Sequence, residues 1–244
     1  MVFYFWHMGK AVVIGATSGI GRELALLLSQ NGYRVGITGR REALLAELKD
    51  QAPTSFVAAA FDATAATAIT QLDDLVSELG GLDLLILSSG TGDINHELHY
   101  AIENRTNQLN VVAFTQIAGW SFSYFKKQGR GQLAVISSIA GIRGNRMGLA
   151  YNASKAYQIN YLEGLRQKAT HEKLNMTITD IRPGFVDTAM AKGEGKFWVA
   201  PPKKAARQII RAIERKKGIV YITKRWQIIA FLLKILPSWI HKRM

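Results

Sequence analysis

The sequence predicts an α/β protein built on a doubly wound, seven-stranded parallel sheet, and three observations support this prediction. First, short apolar runs alternate with segments of helical periodicity along most of the chain, as in strands joined by covering helices. Second, the first apolar run leads into a glycine-rich turn at residues 15–21. Third, the run at residues 83–87 is apolar throughout, as expected for a strand with helices on both faces.

The individual elements follow from these runs in chain order. Strands are predicted at residues 10–14, 33–38, 55–61, 83–87, 133–136, 176–181 and 219–223. Helices are predicted from the glycine-rich turn to about residue 30, at 65–79, from about 96 to 127, from 148 to about 173, and at 225–236. Asn110 lies in the middle of the long helix, where asparagine lowers helix stability and therefore suggests a specific role.

Length and composition indicate one domain followed by a tail. The chain has 244 residues and no Pro- or Ser-rich linker, and its 48% hydrophobic content excludes global disorder. We expect the domain to cover residues 1–224 and a basic, apolar helix to cover 225–244. The absence of cysteine excludes disulfides, thiolate nucleophiles and zinc–thiolate sites. No metal site is predicted, because the closest histidines, His96 and His99, are one residue short of the zinc-protease spacing.

The net charge of +13 is concentrated at the C-terminus. From Lys203 onward twelve Lys or Arg residues stand against Glu214 alone, and the remaining 19 bases and 17 acids nearly cancel. A basic tail on a neutral body argues against nucleic-acid binding and for local contact with an anionic surface. Residues 1–9 are too short for a secretory signal, so we expect a cytoplasmic protein, with membrane association left open.

The glycine-rich turn is a candidate nucleotide site. Gly15 permits a tight turn, Gly19 lets the backbone approach a pyrophosphate, and Gly21 allows close packing of the helix on the strand. The helix N-terminus adds free N–H groups for phosphates. Strand, glycine-rich turn and helix together indicate a Rossmann-type dinucleotide fold, although the spacing is G-x-x-x-G-x-G rather than G-x-G-x-x-G.

The second strand ends in Gly39-Arg40-Arg41, which favours NADP(H) over NAD(H). At this position an acid would bind the adenosine ribose 2′-hydroxyl, whereas an arginine would pair with a 2′-phosphate. The acid is absent. The alternative is that both arginines only begin the next helix, where cations are slightly unfavourable.

Tyr151 and Lys155 are the candidate catalytic pair. Four residues apart on a helix, they share one face, and a nearby ammonium is expected to lower the tyrosine pKa toward the range useful for acid–base catalysis. Small neighbours leave room for a flat ligand: Ala150, Ala153, Ser154 and Ala156. Alone, the pair is weak support, because such spacing is common by chance.

Taken together, these motifs resemble the short-chain dehydrogenase/reductase family over residues 10–188. The matching positions are Gly15, Gly19, Gly21, Asp62, Asn110, Ser138, Tyr151, Lys155 and the segment 182–188. Two departures are visible. Ile14 replaces the family's leading threonine. Leu87-Ser88-Ser89-Gly90 replaces its N-N-A-G segment, and we expect altered local packing there rather than lost chemistry.

The resemblance implies a role for each matching residue. Tyr151 would donate a proton to a carbonyl oxygen, Ser138 would orient that oxygen, Lys155 would hold the nicotinamide ribose, and Asn110 would anchor a proton-relaying water. Asp62 would contact the adenine. The implied cofactor contacts are Gly15, Thr17, Ser18, Gly19, Ile20, Gly21, Arg40, Asp62, Ala63, Ser89, Gly90, Tyr151, Lys155, Pro183, Gly184, Val186 and Thr188.

The family's substrate lid corresponds to residues 189–200, where Met190, Phe197 and Trp198 supply apolar contact area. This lid favours a bulky apolar or lipid-like substrate, unless Phe197 and Trp198 only pack the lid onto the core. We therefore expect an NADPH-dependent oxidoreductase acting on a carbonyl or secondary alcohol, assembled as a homo-oligomer. The alternatives are a catalytically idle nucleotide-binding scaffold or sensor, and a soluble 3-oxoacyl thioester reductase.

The segment 225–236 is apolar on most of its circumference and ends at Pro237. About 18 Å of helix is shorter than the roughly 30 Å hydrocarbon core, so it does not span a bilayer. Trp226 and Trp239 beside basic residues are typical of a helix in the membrane interface. Docking on the protein's own surface or on a partner subunit is the alternative. In the membrane case we expect the tail to be dispensable for the chemical step.

Overall fold

The computed structural model describes residues 9–190 and 197–243 and shows one seven-stranded parallel sheet. The strand order is β3-β2-β1-β4-β5-β6-β7, with helices on both faces, which confirms the predicted fold. Residues 1–8, on which the signal-peptide prediction falls, and 191–196, the middle of the expected lid, lie outside the described residues.

The strands are β1 Lys10–Ile14, β2 Arg34–Gly39, β3 Phe56–Ala60, β4 Leu84–Leu87, β5 Arg130–Ile136, β6 Asn175–Pro183 and β7 Ile219–Ile222. The α-helices are α1 Gly19–Gln30, α2 Glu42–Asp50, α3 Ala68–Leu79, α4 Tyr100–Asn107, α5 Phe114–Gln128, α6 Leu149–His171, α7 Pro202–Glu214, α8 Trp226–Ile235 and α9 Ser238–His241. A π-helix at Gln108–Ala113 joins α4 to α5, and a 3-10 helix at Ile139–Ile142 precedes α6.

Three predicted boundaries need correction. Helix α3 begins at Ala68, three residues later than predicted, because residues 65–67 form a turn before it. The long helix begins at Tyr100 rather than near residue 96, because the Asn95 side chain bonds the backbone of His99 and holds the preceding turn outside the helix. Strand β5 begins at Arg130, three residues earlier than predicted, because its first residues pair in register with Asn175 and the residues after it on β6.

The sheet separates two apolar layers, and alternate strand residues point into each. Val12 and Ile14 of β1 face the layer formed with α3, α5 and α6. Ala11 and Val13 of the same strand face the layer formed with α1, α2 and α7. Burial of both strand faces explains why β1 and β4 are apolar throughout.

Strands β2 and β3 lie on one side of β1, and strands β4 to β7 lie on its other side. The strand order therefore reverses between β1 and β4. In doubly wound sheets the carboxyl ends of the strands at such a switch point form a ligand-binding crevice. A ligand site is therefore expected among the segments that follow β1, β4 and β5.

The C-terminal helix α8 docks on the body through one face. Trp226 and Ala230 are buried, and the Arg143 guanidinium donates to the carbonyls of Leu233 and Leu236 at the helix end. This face of α8 therefore docks on the protein's own surface, which is the alternative that the sequence left open. In the described ranges 9–190 and 197–243, no helix is both long and apolar enough to cross a bilayer.

Candidate active site

The glycine-rich turn after β1 has the backbone that a phosphate site requires. Gly15 and Gly19 have φ angles of +89° and +56°, which favour glycine. A Cβ on Gly21 would lie 2.1 Å from the Gly15 carbonyl oxygen, so no side chain fits where α1 meets the turn. α1 thus packs closely on the turn and presents its first N–H groups there, which suits the pyrophosphate of a dinucleotide.

Two arginines follow β2, and the predicted cofactor contacts include only Arg40. Arg41 Nη2 donates to Thr17 Oγ1 at 2.6 Å and to Ser18 Oγ at 2.8 Å. Arg40 Nη1 lies 3.6 Å from Asp62 Oδ2 instead. The doubled arginine in the sequence is the signal that could have assigned Arg41 to the site as well.

The surroundings of Arg40 form a small cavity of about 240 Å³ that Asp62 also lines. Partial burial opposes ionisation of Asp62, but hydrogen bonds from Thr64 and the charge of Arg40 hold its pKa below the usual value. A Cβ on Gly39 would lie 2.7 Å from Thr17 Cγ2, so the position where an acid would stand has no room for a side chain unless Thr17 moves.

Tyr151 and Lys155 lie on the same face of α6, with Lys155 Nζ 5.8 Å from the centre of the tyrosine ring. Lys155 is buried, and its ammonium donates to the Ile136 carbonyl and to Gln158 Oε1, both at 2.9 Å. Burial lowers the pKa of Lys155 to about 8, against the opposing effect of Asp180. Lys155 is thus an ammonium held among neutral acceptors.

The expected lowering of the Tyr151 pKa is not seen. Burial raises the pKa of this phenol, and the Ser138 hydroxyl lowers it only in part, while the ammonium of Lys155 lies over the ring. Ser138 caps the 3-10 helix by accepting from Ala140 N at 3.0 Å. The close approach of Gly141 to the Lys155 backbone packs this helix on α6 and brings Ser138 beside Tyr151.

Asn110 lies fully buried in the π-helix, a distortion that is frequent at functional sites. Its side-chain amide accepts from Thr91 N at 2.9 Å and donates to Thr91 O at 2.7 Å and to Ser154 Oγ at 3.0 Å. The asparagine therefore fixes the segment after β4 against α6.

Gln158 is a buried site residue that the sequence interpretation missed. Its Nε2 donates to the Asn110 carbonyl at 2.8 Å, and its Oε1 accepts from Lys155. The Gln158 amide thus connects the backbone of Asn110 to the Lys155 ammonium. The detectable signal was a polar residue three positions after Lys155, hence on the same helix face.

The other predicted cofactor residues divide into two groups. Gly90 lies near Asn110 and Lys155, Ser89 packs against Gly15, and Thr188 lies beside Gly19. In contrast, Ala63 and Ile20 pack in the two apolar layers, Val186 bridges to residue 200, and the Pro183-Gly184 segment lies at the end of β6 with Gly184 covered by the Trp226 ring.

The described ends of the expected lid behave differently from each other. The Met190 methyl would be 3.9 Å from a Cβ on Gly90, whose other neighbours are Asn110 and Lys155, so Met190 lies beside this part of the candidate site. Phe197 and Trp198 are half-exposed and pack against Trp226 and each other. Part of the surface of Phe197 and Trp198 therefore packs the lid onto the body, as in the alternative stated above, and the rest stays exposed.

Comparisons with known proteins agree with this arrangement. The family model described as short chain dehydrogenase matches residues 9–197. An uncharacterized oxidoreductase of Myxococcus xanthus is 34% identical over 74% of this chain and 73% of its own length. A hydroxysteroid 11-beta-dehydrogenase 1-like protein of Bos taurus is 28% identical over 98% of this chain and 89% of its own length. A Burkholderia phymatum short-chain dehydrogenase/reductase, solved in complex with NAD, superposes with a TM-score of 0.83 at 18% identity over 92% of each chain.

Proposed function

The chain belongs to the short-chain dehydrogenase family, and on this premise we propose that it is an NADPH-dependent enzyme acting on a bulky apolar carbonyl compound or the corresponding alcohol. It is an oxidoreductase that binds a nicotinamide cofactor. The observation that carries the proposal is the grouping of Tyr151, Ser138, Lys155 and Asn110 at the carboxyl ends of β4 and β5.

The nicotinamide, when bound, would supply the hydride chemistry, and the side chains of this chain move the proton. The Tyr151 hydroxyl donates to the carbonyl oxygen, and Ser138 donates a second hydrogen bond that orients it. The raised pKa of Tyr151 keeps its proton in place until a substrate oxygen accepts it. The Lys155 ammonium would hold the ribose hydroxyls of the cofactor. Gln158, itself bonded to the Asn110 carbonyl, fixes the position of that ammonium.

Two observations support NADP(H) over NAD(H). Arg40 and Arg41 flank the end of β2, and Arg41 reaches the hydroxyls of the glycine-rich turn. Position 39, where an acid would bind a ribose hydroxyl, is a glycine closed off by Thr17. The Burkholderia structure holds NAD, so the preference is proposed from Gly39 and the two arginines of this chain and not from that structure.

The substrate class is proposed from the apolar surface beside the site. Met190 lies beside Gly90, and Phe197 and Trp198 keep exposed apolar area at the other described end of the same segment. The bovine relative named for hydroxysteroid dehydrogenase supports the same class by similarity. We propose further that the enzyme meets such substrates at a membrane surface through residues 225–244, and that it forms homo-oligomers.

The test is a panel of ketosteroids, 3-oxoacyl thioesters and lipid-linked keto-sugars, assayed with NADPH and NADH. We expect turnover of a bulky member with NADPH. Turnover restricted to soluble thioesters would favour the alternative reductase, and no turnover with retained nucleotide binding would favour the idle scaffold.

Tyr151→Phe should abolish turnover and preserve cofactor binding, because the ring stays while the proton donor is lost. The measurement is steady-state activity beside a fluorescence titration of NADPH. Tyr157→Phe is the matched control, since this tyrosine lies on the same helix and its hydroxyl hydrogen-bonds Thr115. Activity retained in Tyr151→Phe would move the proton donor to another residue.

A further inference from the structure

The outward face of α8 is an apolar stripe. Its large side chains are between 49% and 64% exposed, and with the following tryptophan they form one row: Ile228, Phe231, Leu232, Ile235 and Trp239. Within α8, the spacing of three and four residues keeps the first four on one side, and Trp239 lies on the short helix α9 that follows. The opposite side is anchored by Trp226 and Ala230, so the stripe is held facing outward on a docked helix.

A cationic cavity of about 530 Å³ lies beside the start of this helix, between α7, β7 and the segment that leads into α8. Six cations line it: Lys204, Arg211, Arg215, Lys217, Lys224 and Arg225. No acidic residue lines it, and across residues 9–190 and 197–243 none of the six pairs with a carboxylate. Their attraction for an anion is therefore uncompensated.

The charges decide which partner fits the stripe. A second copy packed through α8 would bring two segments of +11 together, and their repulsion would oppose the apolar contact. An anionic bilayer surface satisfies both features, since headgroup phosphates attract the cations and the acyl boundary accepts the apolar side chains.

We propose that α7, β7 and α8 form a docking surface for an anionic membrane, with lipid headgroup phosphates in the cationic cavity and the stripe lying in the interface. This deepens the membrane contact proposed above and names its residues. Arg143, which holds the end of α8, directly follows the 3-10 helix capped by Ser138. Docking would therefore bring the active-site segment close to the membrane surface, where a lipid-like carbonyl compound is concentrated.

The test is sedimentation of the full chain with vesicles of phosphatidylcholine alone or mixed with phosphatidylglycerol, at low and high salt. We expect binding to the mixed vesicles, weakened by salt. Lys204→Gln/Arg211→Gln/Arg215→Gln should lose roughly fivefold in partition coefficient per cation removed. The control changes exposed lysines that do not line the cavity, Lys49, Lys127 and Lys173, to glutamine and should lose less.

A second variant, Ile228→Ser/Phe231→Ser/Ile235→Ser, tests insertion. It changes exposed side chains only, so circular dichroism and NADPH binding should match the parent chain while vesicle binding falls at least tenfold. Unchanged binding in this variant would overturn insertion. If the full chain does not bind the mixed vesicles, the whole proposal is overturned. This holds even if light scattering then shows association of copies through the stripe, or if glycerol phosphate alone binds the cavity. Vesicle binding is measured without substrate, so these outcomes are independent of whether the proposed reduction occurs.

Discussion

At the scale of single residues, the charged state of the buried Lys155 side chain is stabilised by a small set of neighbouring groups. Its hydrogen bonds are to the neutral acceptors Ile136 O and Gln158 Oε1, and Asp180 supplies the opposing charge. Below its pKa of about 8 the residue is an ammonium, and the charge is lost as the pH rises through that value. Cofactor binding that uses the ammonium should therefore weaken above pH 8.

Gln158→Leu should move this loss to lower pH, because the ammonium loses an acceptor, whereas Gln158→Glu should move it to higher pH by adding a negative charge. The measurement is NADPH affinity and kcat as functions of pH. Gln167→Leu, at an exposed position of the same helix, is the control. Identical midpoints in the parent chain and both Gln158 variants would show that Gln158 does not position Lys155.

Arg41→Ala and Arg40→Ala should each weaken NADPH binding and leave NADH nearly unchanged. Loss of one charge-assisted contact costs about 1.5–3 kcal/mol, roughly a ten- to hundredfold rise in Kd. Isothermal titration with both nucleotides measures it, with Lys49→Ala of α2 as the control. Equal losses for NADH and NADPH would remove the arginines from 2′-phosphate recognition.

At the scale of elements, the sheet was predictable because its strands are buried on both faces and read as apolar runs. The π-helix around Asn110 was not, since its distortion depends on bonds to Thr91, Ser154 and Gln158 that lie far away in sequence. The same reason explains the missed role of Gln158. Local periodicity indicates that a helix exists, but long-range contacts decide where it bends.

The end of β6 holds a buried ion pair, with Arg182 Nη2 2.6 Å from Asp180 Oδ2. Arg182→Met should cost about 3–5 kcal/mol of unfolding free energy, because Asp180 keeps a buried charge without its partner. Denaturant unfolding measures the loss, and adding Asp180→Asn should restore part of it. Arg130→Met, which breaks the exposed pair with Asp83, should cost less than about 1 kcal/mol. Similar losses for both arginines would contradict this account.

At the scale of the whole molecule, the C-terminal segment belongs to the body by one face and remains apolar on the other. Trp226 packs on Phe185 and Phe197 and covers Gly184, where a Cβ would lie 2.0 Å from the ring. The sequence indicated an apolar helix with flanking tryptophans, but it could not show which tryptophan is buried in the fold and which is exposed. Both resemble interfacial anchors in sequence, and burial in the fold distinguishes Trp226 from the exposed Trp239.

This difference in burial predicts a large loss of unfolding free energy for one tryptophan and a small one for the other. Trp226→Ala should lower the unfolding free energy by about 3–5 kcal/mol, because it empties the space between α8 and the end of β6. Trp239→Ala should change it by less than about 0.5 kcal/mol, since it alters an exposed side chain. Thermal and denaturant unfolding of each variant make the comparison.

Trp226→Phe adds a finer control, because the Trp226 indole nitrogen has no hydrogen-bond partner among the described residues. A phenyl ring keeps most of the packing and removes that unpaired donor, so this variant should lose less stability than Trp226→Ala. A chain ending at Lys224 should then unfold more readily than the full chain, and its lower activity should follow its folded fraction. If that truncated chain is as stable as the full one, α8 contributes nothing to the fold, and its attachment through Trp226 is wrong.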